Sequence, residues 1–394
     1  MTPAARAPVI VDVRRTPVGR AKKGSLVDWR PDDLGAFAVR SLLERFPELD
    51  TGTIDDVACG CAFPWGEQGY NVGRNIAILA GLPHHVPAST TTRLCASSLQ
   101  ALRTAAHAIA MGEAEAMVAV GVESVSRVGH GHHLAEKNPK LDPESDAGED
   151  LLGAVFLPMG ITAENVAAQY GVSREEQDAF AQRSQERAVA AQASGFSARE
   201  IMPVPLAGGS VMEVDDSPRA SSTLEKLAAL DPVFREGGSV TAGNSCPLND
   251  GAAAALVMSQ ARADELGLKP RARILASAVS AVDPAMMGIG PIDAITWALQ
   301  RSGVTIDDVD VFELNEAFAA QVIPVCREVG IDPFDDRVNG HGGGIAIGHP
   351  FGMTGLRIMS TLLNGLDERD GTIGIESMCV GGGQGQAMVV ERLS

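Results

Sequence analysis

Two side chains that could supply a nucleophile and a base stand in tight, polar or glycine-rich surroundings. The first is Cys95, in Thr90-Thr-Thr-Arg-Leu-Cys-Ala-Ser-Ser-Leu-Gln100, where a β-rich stretch gives way to a helix of small residues. A helix N-terminus offers free N–H groups and positive potential, which favour a thiolate over a thiol. A lone cysteine is more often a small core residue. Here the small, polar neighbours weigh towards a nucleophile.

The second is His349, in Gly340-His-Gly-Gly-Gly-Ile-Ala-Ile-Gly-His-Pro-Phe-Gly-Met-Thr-Gly355. The glycines allow the backbone to approach another group closely, and a helix begins just afterwards. A phosphate-binding loop is the alternative interpretation. The segment lacks both Gly-Lys-Ser/Thr and a clean Gly-x-Gly-x-x-Gly that opens a helix, which argues against phosphate. His349 is therefore a candidate general base.

Two further segments carry polar groups at the ends of expected strands. Cys379 lies in Met378-Cys-Val-Gly-Gly-Gly-Gln-Gly385, where a glycine run leaves N–H groups free to hold an oxyanion. Asn315 and Glu316 follow a strand that ends at Leu314, and active sites in α/β folds are built at such positions. Together these segments indicate acyl chemistry at a cysteine.

Strands and helices alternate through most of the chain, which predicts an α/β fold with helices covering largely parallel strands. The expected strands are Val9–Val13, Ala116–Val120, Val309–Leu314, Thr372–Ser377 and Ala387–Val390, and the clearest helices are Ala101–Met111 and Gly355–Leu366.

A weak internal repeat links the two candidate residues. Ile54-Asp-Asp-Val57 recurs as Ile306-Asp-Asp-Val309, and Gly121-Val-Glu-Ser124 recurs as Gly374-Ile-Glu-Ser377, at displacements of 252 and 253 residues. Agreement between two displacements indicates two similar halves. Cys95 precedes the first Gly-x-Glu-Ser by 26 residues, and His349 precedes the second by 25. If the halves pack about a pseudo-twofold axis, a Cys/His nucleophile pair results.

The repeat divides the chain into three parts. Residues 1–123 with 241–270 are expected to form the N-terminal half, and residues 271–394 the C-terminal half. Residues 124–240 form an inserted loop domain, which holds a capped helix from Ser173 to Gly195. In an α/β enzyme such an insertion forms a lid or binding subdomain over the site.

Composition limits the broad class of protein. A length of 394 residues suits two or three domains, and 32 Lys and Arg against 50 Asp and Glu give a net charge of −18. The acidic balance argues against nucleic acid as the main partner, and no run approaches the ~20 apolar residues of a membrane span. Six cysteines show no disulfide framework, so a cytoplasmic protein is expected.

Several Cys and His residues raise the possibility of a metal site. They are Cys59 and Cys61, His84 and His85, and the cluster His130, His132 and His133. Their spacings match no common zinc pattern, so strand cysteines and loop histidines are the favoured interpretation, and no metal is expected.

Four ordered motifs give the sequence its resemblance to the thiolase family, above all to the degradative 3-ketoacyl-CoA thiolases of bacteria. They are Leu94-Cys-Ala-Ser-Ser-Leu-Gln-Ala101, Asn315-Glu-Ala-Phe318, Gly348-His-Pro350 and Cys379-Val-Gly-Gly-Gly-Gln-Gly385, and lesser matches extend over nearly the whole chain. The resemblance implies a five-layer α/β/α/β/α sandwich of two similar halves with an inserted loop domain.

The resemblance also implies catalytic roles. Cys95 would attack the 3-keto carbon of a 3-ketoacyl-CoA to give an acyl-cysteine thioester, after His349 takes its proton. Cys379 would protonate the departing acetyl-CoA enolate and later deprotonate the incoming CoA. Asn315, through a water, and His349 would stabilise one oxyanion. The backbone N–H groups of Cys95 and Gly381 would stabilise the other.

The same resemblance assigns a CoA-binding site to Arg219, Met159, Ser245 and Cys246. The chain departs from the family at three positions: Cys246 replaces a serine that contacts the pantetheine arm, His341 replaces an asparagine, and Gly344 replaces an alanine. A thiol is the weaker hydrogen-bonding group.

Three functions remain open at this point. They are thiolysis of medium- or long-chain 3-ketoacyl-CoA in β-oxidation, cleavage or formation of acetoacetyl-CoA, and non-catalytic binding of acyl-CoA or lipid. The presence of Cys95, His349 and Cys379 together argues against a non-catalytic binding protein. The resemblance further implies a homodimer or homotetramer, association with a hydratase/dehydrogenase subunit, and CoA as a substrate with no metal or redox cofactor.

Overall fold

The computed structural model describes residues 4–130 and 136–394. Its strands are β1 (Pro8–Arg15), β2 (Gly19–Arg20), β3 (Asp56–Gly60), β4 (Ala88–Thr91), β5 (Ala116–Ser124), β6 (Val204–Pro205), β7 (Val211–Met212), β8 (Asn249–Ser259), β9 (Ala272–Ala281), β10 (Val311–Leu314), β11 (Ile373–Val380) and β12 (Gln384–Arg392). Its helices are α1 (Pro31–Leu43), α2 (Val72–Leu79), α3 (Ser97–Met111), α4 (Val125–Val128), α5 (Met159–Tyr170), α6 (Arg174–Ala193), α7 (Leu224–Ala228), α8 (Gln260–Glu265), α9 (Pro291–Ser302), α10 (Ala319–Val329) and α11 (Thr354–Arg369). Every strand and helix expected from the sequence is present, with shifted ends.

The strands form two half-sheets joined edge to edge. The hydrogen-bonded order is β10-β11-β12-β9-β1-β8-β5-β3-β4, with β2 paired to β8. The junction between β9 and β1 consists of two residue pairs, Val9 with Arg273 and Ile10 with Ala272. The chain is therefore built as two α/β halves whose sheets meet along one short edge.

Three apolar clusters pack five layers of helices and half-sheets together. One cluster packs α1 and α2 against the N-terminal half-sheet, and another packs α9 and α10 against the C-terminal half-sheet. The third lies between the half-sheets and contains the apolar faces of α3 and α11, including Leu99, Leu102, Leu356 and Met359. This arrangement is the α/β/α/β/α sandwich that the family resemblance implies, with α3 and α11 as the central layer.

The expectation of largely parallel strands is wrong. Only β3 with β4, β3 with β5 and β10 with β11 pair in parallel among the named strands. A three-glycine turn joins β11 to β12 as a hairpin, which must be antiparallel. The chain also returns from the insertion as β8, which runs antiparallel to both β1 and β5.

The insertion contains α5, α6 and α7 together with a small hairpin. Ser173 caps α6 by accepting the backbone N–H of Glu176, as predicted. Its two short strands, β6 and β7, pair with each other in antiparallel orientation. The division at residues 124 and 240 stays a prediction.

Two of the sequence expectations concern a metal site and a membrane span. His132 and His133 lie outside the described residues, and within residues 4–130 and 136–394 no three His, Cys, Asp or Glu side chains are grouped to hold a metal ion. No helix in this part of the chain has the length and apolar composition to cross a membrane.

Candidate active site

The first turns of the two central helices are in direct contact. The backbone N–H of Leu356 on α11 donates to Oγ of Ser98 on α3 at 3.1 Å. A Cβ on Gly355 would lie 2.5 Å from the backbone nitrogen of Leu99, so only glycine permits this approach. Cys95 lies two residues before α3 and His349 five residues before α11, so the contact between the helices brings both to the same region.

Cys95 sits in a short 3₁₀ turn, Leu94–Ala96, whose first residue has a left-handed φ of 43°. The backbone N–H groups of Gly381 and of Cys95 itself act on the thiol sulfur and lower its pKa. Burial outweighs them and raises the pKa of Cys95 to about 11. The expectation that the helix N-terminus favours a thiolate is therefore wrong for the resting state, because desolvation dominates. The sulfur needs a base.

His349 is buried, and both of its ring nitrogens have neighbours. Nδ1 lies 2.6 Å from Oγ1 of Thr354, and that hydroxyl donates its one hydrogen to the carbonyl oxygen of Pro350 at 2.8 Å. The hydroxyl must therefore accept from Nδ1–H, which assigns the tautomer with a bare Nε2. Burial lowers the pKa of His349 to about 3, with a smaller contribution from Arg357. The imidazole is neutral and able to accept a proton at Nε2.

Asn315 directly follows β10 and faces this imidazole. Its Nδ2 donates to Nε2 of His349 at 3.2 Å, and within the described residues its buried Oδ1 has no hydrogen-bond partner. A Cβ on Gly344 would lie 3.0 Å from that Oδ1. The glycine that departs from the family thus leaves room around the Asn315 amide.

Cys379 lies near the end of β11, fully buried. Burial raises the pKa of its thiol well above the ordinary value, and the neighbouring Cys95 and Cys246 raise it further. The glycine turn follows, and a Cβ on Gly381 would lie 2.6 Å from Cδ1 of Leu94. The turn is therefore seated directly on the segment that holds Cys95.

The predicted CoA-binding residues divide into two groups. Arg219 and Ser245 line a cavity of about 250 Å³ between the insertion and the body of the protein. Cys246 follows Ser245 outside the cavity wall, and its backbone N–H donates to the carbonyl of Ala317. Met159 begins α5 and packs beside the C-terminal core rather than on the cavity wall. Among the described residues on that wall, Arg219 and Lys226 are the only charged ones.

His341, the second departure, is engaged away from the imidazole of His349. Its ring stacks on Phe196 with centroids 3.4 Å apart, and its Nε2 lies 2.5 Å from Oε2 of Glu368. It therefore joins the insertion to the outer end of α11.

Sequence reasoning missed three residues that position the site. Thr354 fixes the tautomer of His349, and Asn249 accepts the backbone N–H of His349 at 3.0 Å. Glu123 is fully buried and accepts the backbone N–H groups of Ala62 and Gly352. Its place in the repeated Gly-x-Glu-Ser segment was the one available signal.

Two protein-family models together match almost the whole chain. The thiolase N-terminal domain matches residues 8–261, and the thiolase C-terminal domain matches residues 268–392. The chain belongs to the thiolase family. This thiolase is accordingly an acyltransferase, as the motifs predicted.

Individual relatives agree with that membership. A 3-ketoacyl-CoA thiolase of Escherichia coli O139:H28 is 46% identical over 394 residues, covering 98% of this chain and 99% of the relative. A beta-ketoadipyl-CoA thiolase of Acinetobacter baylyi is also 46% identical, with the same coverage.

Solved structures confirm the predicted fold of this thiolase. A Bacillus anthracis acetyl-CoA acetyltransferase superposes with a TM-score of 0.90 at 38% identity, covering 100% of both chains. Human mitochondrial 3-ketoacyl-CoA thiolase has a TM-score of 0.90 at 36% identity, covering 99% of this chain and 100% of that chain.

Proposed function

We propose that this thiolase cleaves 3-ketoacyl-CoA with CoA, releasing acetyl-CoA and an acyl-CoA shortened by two carbons. One observation carries the proposal: Nε2 of His349, which accepts from the Asn315 amide, carries no proton and can take one, and the Gly381 N–H acts on the Cys95 thiol. A neutral base and a protonated cysteine are the starting states that acyl transfer through a thioester requires.

The first half-reaction begins with transfer of the Cys95 proton to Nε2 of His349. The sulfur attacks the 3-keto carbon. Two sets of donors stabilise the oxyanions of the reaction: the N–H groups of Cys95 and Gly381 form one set, and the Asn315–His349 pair forms the other. The bond between C2 and C3 then breaks, leaving the acyl group on Cys95. Cys379 protonates the acetyl-CoA enolate, a role suited to a thiol whose raised pKa keeps it protonated.

The second half-reaction runs the proton transfers in reverse. Cys379, now a thiolate, takes the proton of the incoming CoA thiol, and the CoA sulfur attacks the thioester carbonyl. Collapse of the intermediate releases the shortened acyl-CoA, and His349 returns its proton to Cys95. Protons balance over the cycle and no oxidation state changes, so the proposed steps use no redox cofactor, and none of them draws on a metal.

CoA binding belongs to the same proposal. The cationic Arg219 and Lys226 would meet the phosphate groups, and Ser245 would line the path of the pantetheine arm towards Cys246 and Cys95. Met159 would border the acyl group. The cellular setting we propose is β-oxidation in the cytoplasm, as a homodimer or homotetramer that works beside a hydratase/dehydrogenase subunit.

The test follows the CoA-dependent loss of the Mg²⁺-enolate absorbance of 3-ketoacyl-CoA, with Cys95→Ala as the control. Acetoacetyl-CoA, a long-chain 3-ketoacyl-CoA and 3-oxoadipyl-CoA are compared by kcat/KM, because the similar proteins are named acetyl-CoA acetyltransferase, 3-ketoacyl-CoA thiolase and beta-ketoadipyl-CoA thiolase. Preference for the long chain supports the proposal, and preference for acetoacetyl-CoA assigns the acetyltransferase reaction instead. Binding without turnover by folded protein would leave a non-catalytic acyl-CoA carrier.

A further inference from the structure

A buried acid that the proposed mechanism does not use, Glu316, lies just after β10 and is 1% exposed. Its Oε2 accepts the hydroxyl of Ser184 on α6 at 2.6 Å and the backbone N–H of Ile345 at 3.2 Å. Its Oε1 accepts the side-chain amide of Asn339 at 2.8 Å. The carboxyl group therefore joins β10 to the insertion and to the glycine-rich loop before α11.

Ser184 extends the reach of this carboxyl group along the loop. While its hydroxyl donates to Glu316, the same oxygen accepts the backbone N–H of Gly343 at 3.1 Å. The N–H of Ile345 goes to the carboxyl group directly. The segment Gly343–Ile345 is therefore fixed on both sides of its middle residue by one acid and one hydroxyl group.

The middle residue of that segment, Gly344, lies against the side chain of Asn315. A Cβ on Gly344 would be 3.0 Å from Oδ1 of Asn315 and 3.0 Å from the carbonyl oxygen of Glu316. On its other side, the Asn315 amide donates to Nε2 of His349. The segment is thus one wall of the space that holds the amide, and close packing limits how far a side chain can shift within such a space.

We propose that Glu316 is a positioning residue for the Asn315–His349 pair, because it holds the segment Gly343–Ile345 against the Asn315 amide. Glu316 takes no part in the proton transfers and acts only through Asn315. The inference rests on the proposed function, in which this pair stabilises an oxyanion and the placement of the amide decides how well it does so.

A glutamine at position 316 would have the size of the acid but not its hydrogen-bonding capacity. Its NH₂ group would face a donor in either orientation, the Asn339 amide or the N–H of Ile345. Turning the Asn339 amide would break two further bonds, since it accepts the N–H of Leu314 at 2.8 Å and donates to the Leu314 carbonyl at 2.9 Å. Glu316→Gln should therefore loosen the segment without opening a cavity.

Two reactions of Cys95 separate positioning from general disruption. Glu316→Gln should lower kcat for 3-ketoacyl-CoA by about 10- to 100-fold, with KM changed less than about threefold, because the oxyanion is stabilised less well. Alkylation of Cys95 by iodoacetamide forms no oxyanion, so its rate should stay within about twofold of the wild-type rate. Equal slowing of the two reactions would overturn the proposal.

Ser184→Ala breaks the link to Gly343 and keeps α6 helical, because alanine favours helix. It should lower kcat by about tenfold and leave alkylation unchanged. In the Glu316→Gln background it should cost less than about a further twofold, because both changes release the same segment. Losses that multiply in the double variant would contradict a shared role.

Asp310, at the other end of β10, provides a matched control. Its carboxyl group accepts the backbone N–H groups of Thr372 and Ile373 at 2.6 and 2.9 Å. Asp310→Asn thus alters an acid that also holds backbone N–H groups, but away from Asn315. Its kcat and its rate of alkylation should stay within about twofold of wild type.

Hydrogen exchange separates this inference from the proposed function. The backbone N–H groups of Gly343 and Ile345 should exchange about tenfold faster or more in Glu316→Gln, and at the wild-type rate in Asp310→Asn. Faster exchange in a protein that turns over no 3-ketoacyl-CoA would contradict the proposed reaction alone. Unchanged exchange, or a wild-type kcat in Glu316→Gln, would overturn the positioning role.

Discussion

At the scale of single residues, the hydroxyl of Thr354 decides which nitrogen of His349 carries the hydrogen. Thr354 lies in the first turn of α11, five residues after the histidine, and its own hydrogen is committed to the carbonyl of Pro350. Because the imidazole is buried and neutral, its use as a base depends on that assignment. The arrangement places the proton on Nδ1 and leaves Nε2 bare towards Asn315.

Thr354→Val should therefore reduce kcat by about 100-fold, within the range attributed to a positioned general base, with KM changed less than about threefold. Valine keeps the shape of threonine but removes the acceptor for Nδ1–H, so both tautomers become populated. The control is Thr104→Val on the exposed side of α3, where the hydroxyl bonds the carbonyl of Gln100. Steady-state kinetics on 3-ketoacyl-CoA measures both. Full activity of Thr354→Val would show that the tautomer is fixed in another way.

At the scale of elements, the hairpin turn between β11 and β12 rests on the turn before α3. Gly382 and Gly383 have left-handed φ angles of 77° and 76°, and Gly381 faces the Leu94 side chain. The N–H that reaches Cys95 is therefore presented by one half of the molecule to the other.

Gly381→Ala should lower kcat/KM by about 10- to 100-fold, because the added methyl group would lie 2.6 Å from Cδ1 of Leu94 and displace the Cys95 turn. The double variant Gly381→Ala/Leu94→Ala removes the clash and should recover activity to within about threefold of Leu94→Ala alone. Failure of this rescue would mean that the glycine is needed for something other than space.

Glu123 joins three elements that converge on the site. From β5, its carboxyl group accepts the N–H of Ala62 after β3, the N–H of Gly352 before α11, and the amide of Gln68. Burial raises the pKa of Glu123 to about 7. A raised pKa in an acid means that the folded state holds the proton more tightly. Its contribution to stability is therefore full below the unfolded pKa and is lost as pH rises through about 7.

Glu123→Ala should reduce the free energy of unfolding by about 3 kcal/mol, since it leaves buried N–H groups unpaired. The reduction should be larger in mildly acidic than in mildly alkaline urea titrations, for the reason just given. Glu48→Ala, at an exposed position, should change stability by less than about 0.5 kcal/mol at either pH. A loss that grows with pH would contradict the assigned direction of the Glu123 pKa.

The elements also show what the sequence could predict. The common displacement of the Gly-x-Glu-Ser repeats predicts that Cys95 and His349 precede equivalent helices, because it depends on local patterns alone. Strand direction depends on where the chain returns after a long insertion, so the antiparallel place of β8 could not be predicted. The thiolate expectation for Cys95 failed for a similar reason, since burial is set by distant segments. The sequence did not indicate a role for Thr354, because its hydrogen bond to Nδ1 of His349 exists only in the folded protein.

At the scale of the whole molecule, the proposed function requires a strongly acidic protein to bind CoA, which is itself a polyanion. The net charge is −18, yet Arg219 and Lys226 are the charged residues that line the cavity. A locally positive site in an acidic surface concentrates an anionic ligand where it is needed, and its effect weakens with ionic strength.

Lys226→Ala and Arg219→Ala should each raise the KM for CoA by about tenfold at low salt, with kcat unchanged. The effect should shrink at high salt and be absent when pantetheine, which lacks the phosphates, replaces CoA. Lys269→Ala, an exposed lysine elsewhere, is the control. An equal rise in the KM for pantetheine would mean that these side chains contact the pantetheine arm of CoA rather than its phosphate groups.

The identity of the acylated cysteine decides whether Cys95 is the nucleophile, because Cys95, Cys246 and Cys379 are neighbours. The protein is mixed with a 3-ketoacyl-CoA without added CoA, quenched, cleaved with trypsin and analysed by mass spectrometry. Cleavage after Arg93, Arg103, Arg235, Arg262, Arg369 and Arg392 puts each of the three cysteines on a separate peptide. We predict the shortened acyl group on the Cys95 peptide alone, and none in Cys95→Ala. An acyl group on the Cys379 or Cys246 peptide, or equal labelling of Cys95→Ala, would contradict it.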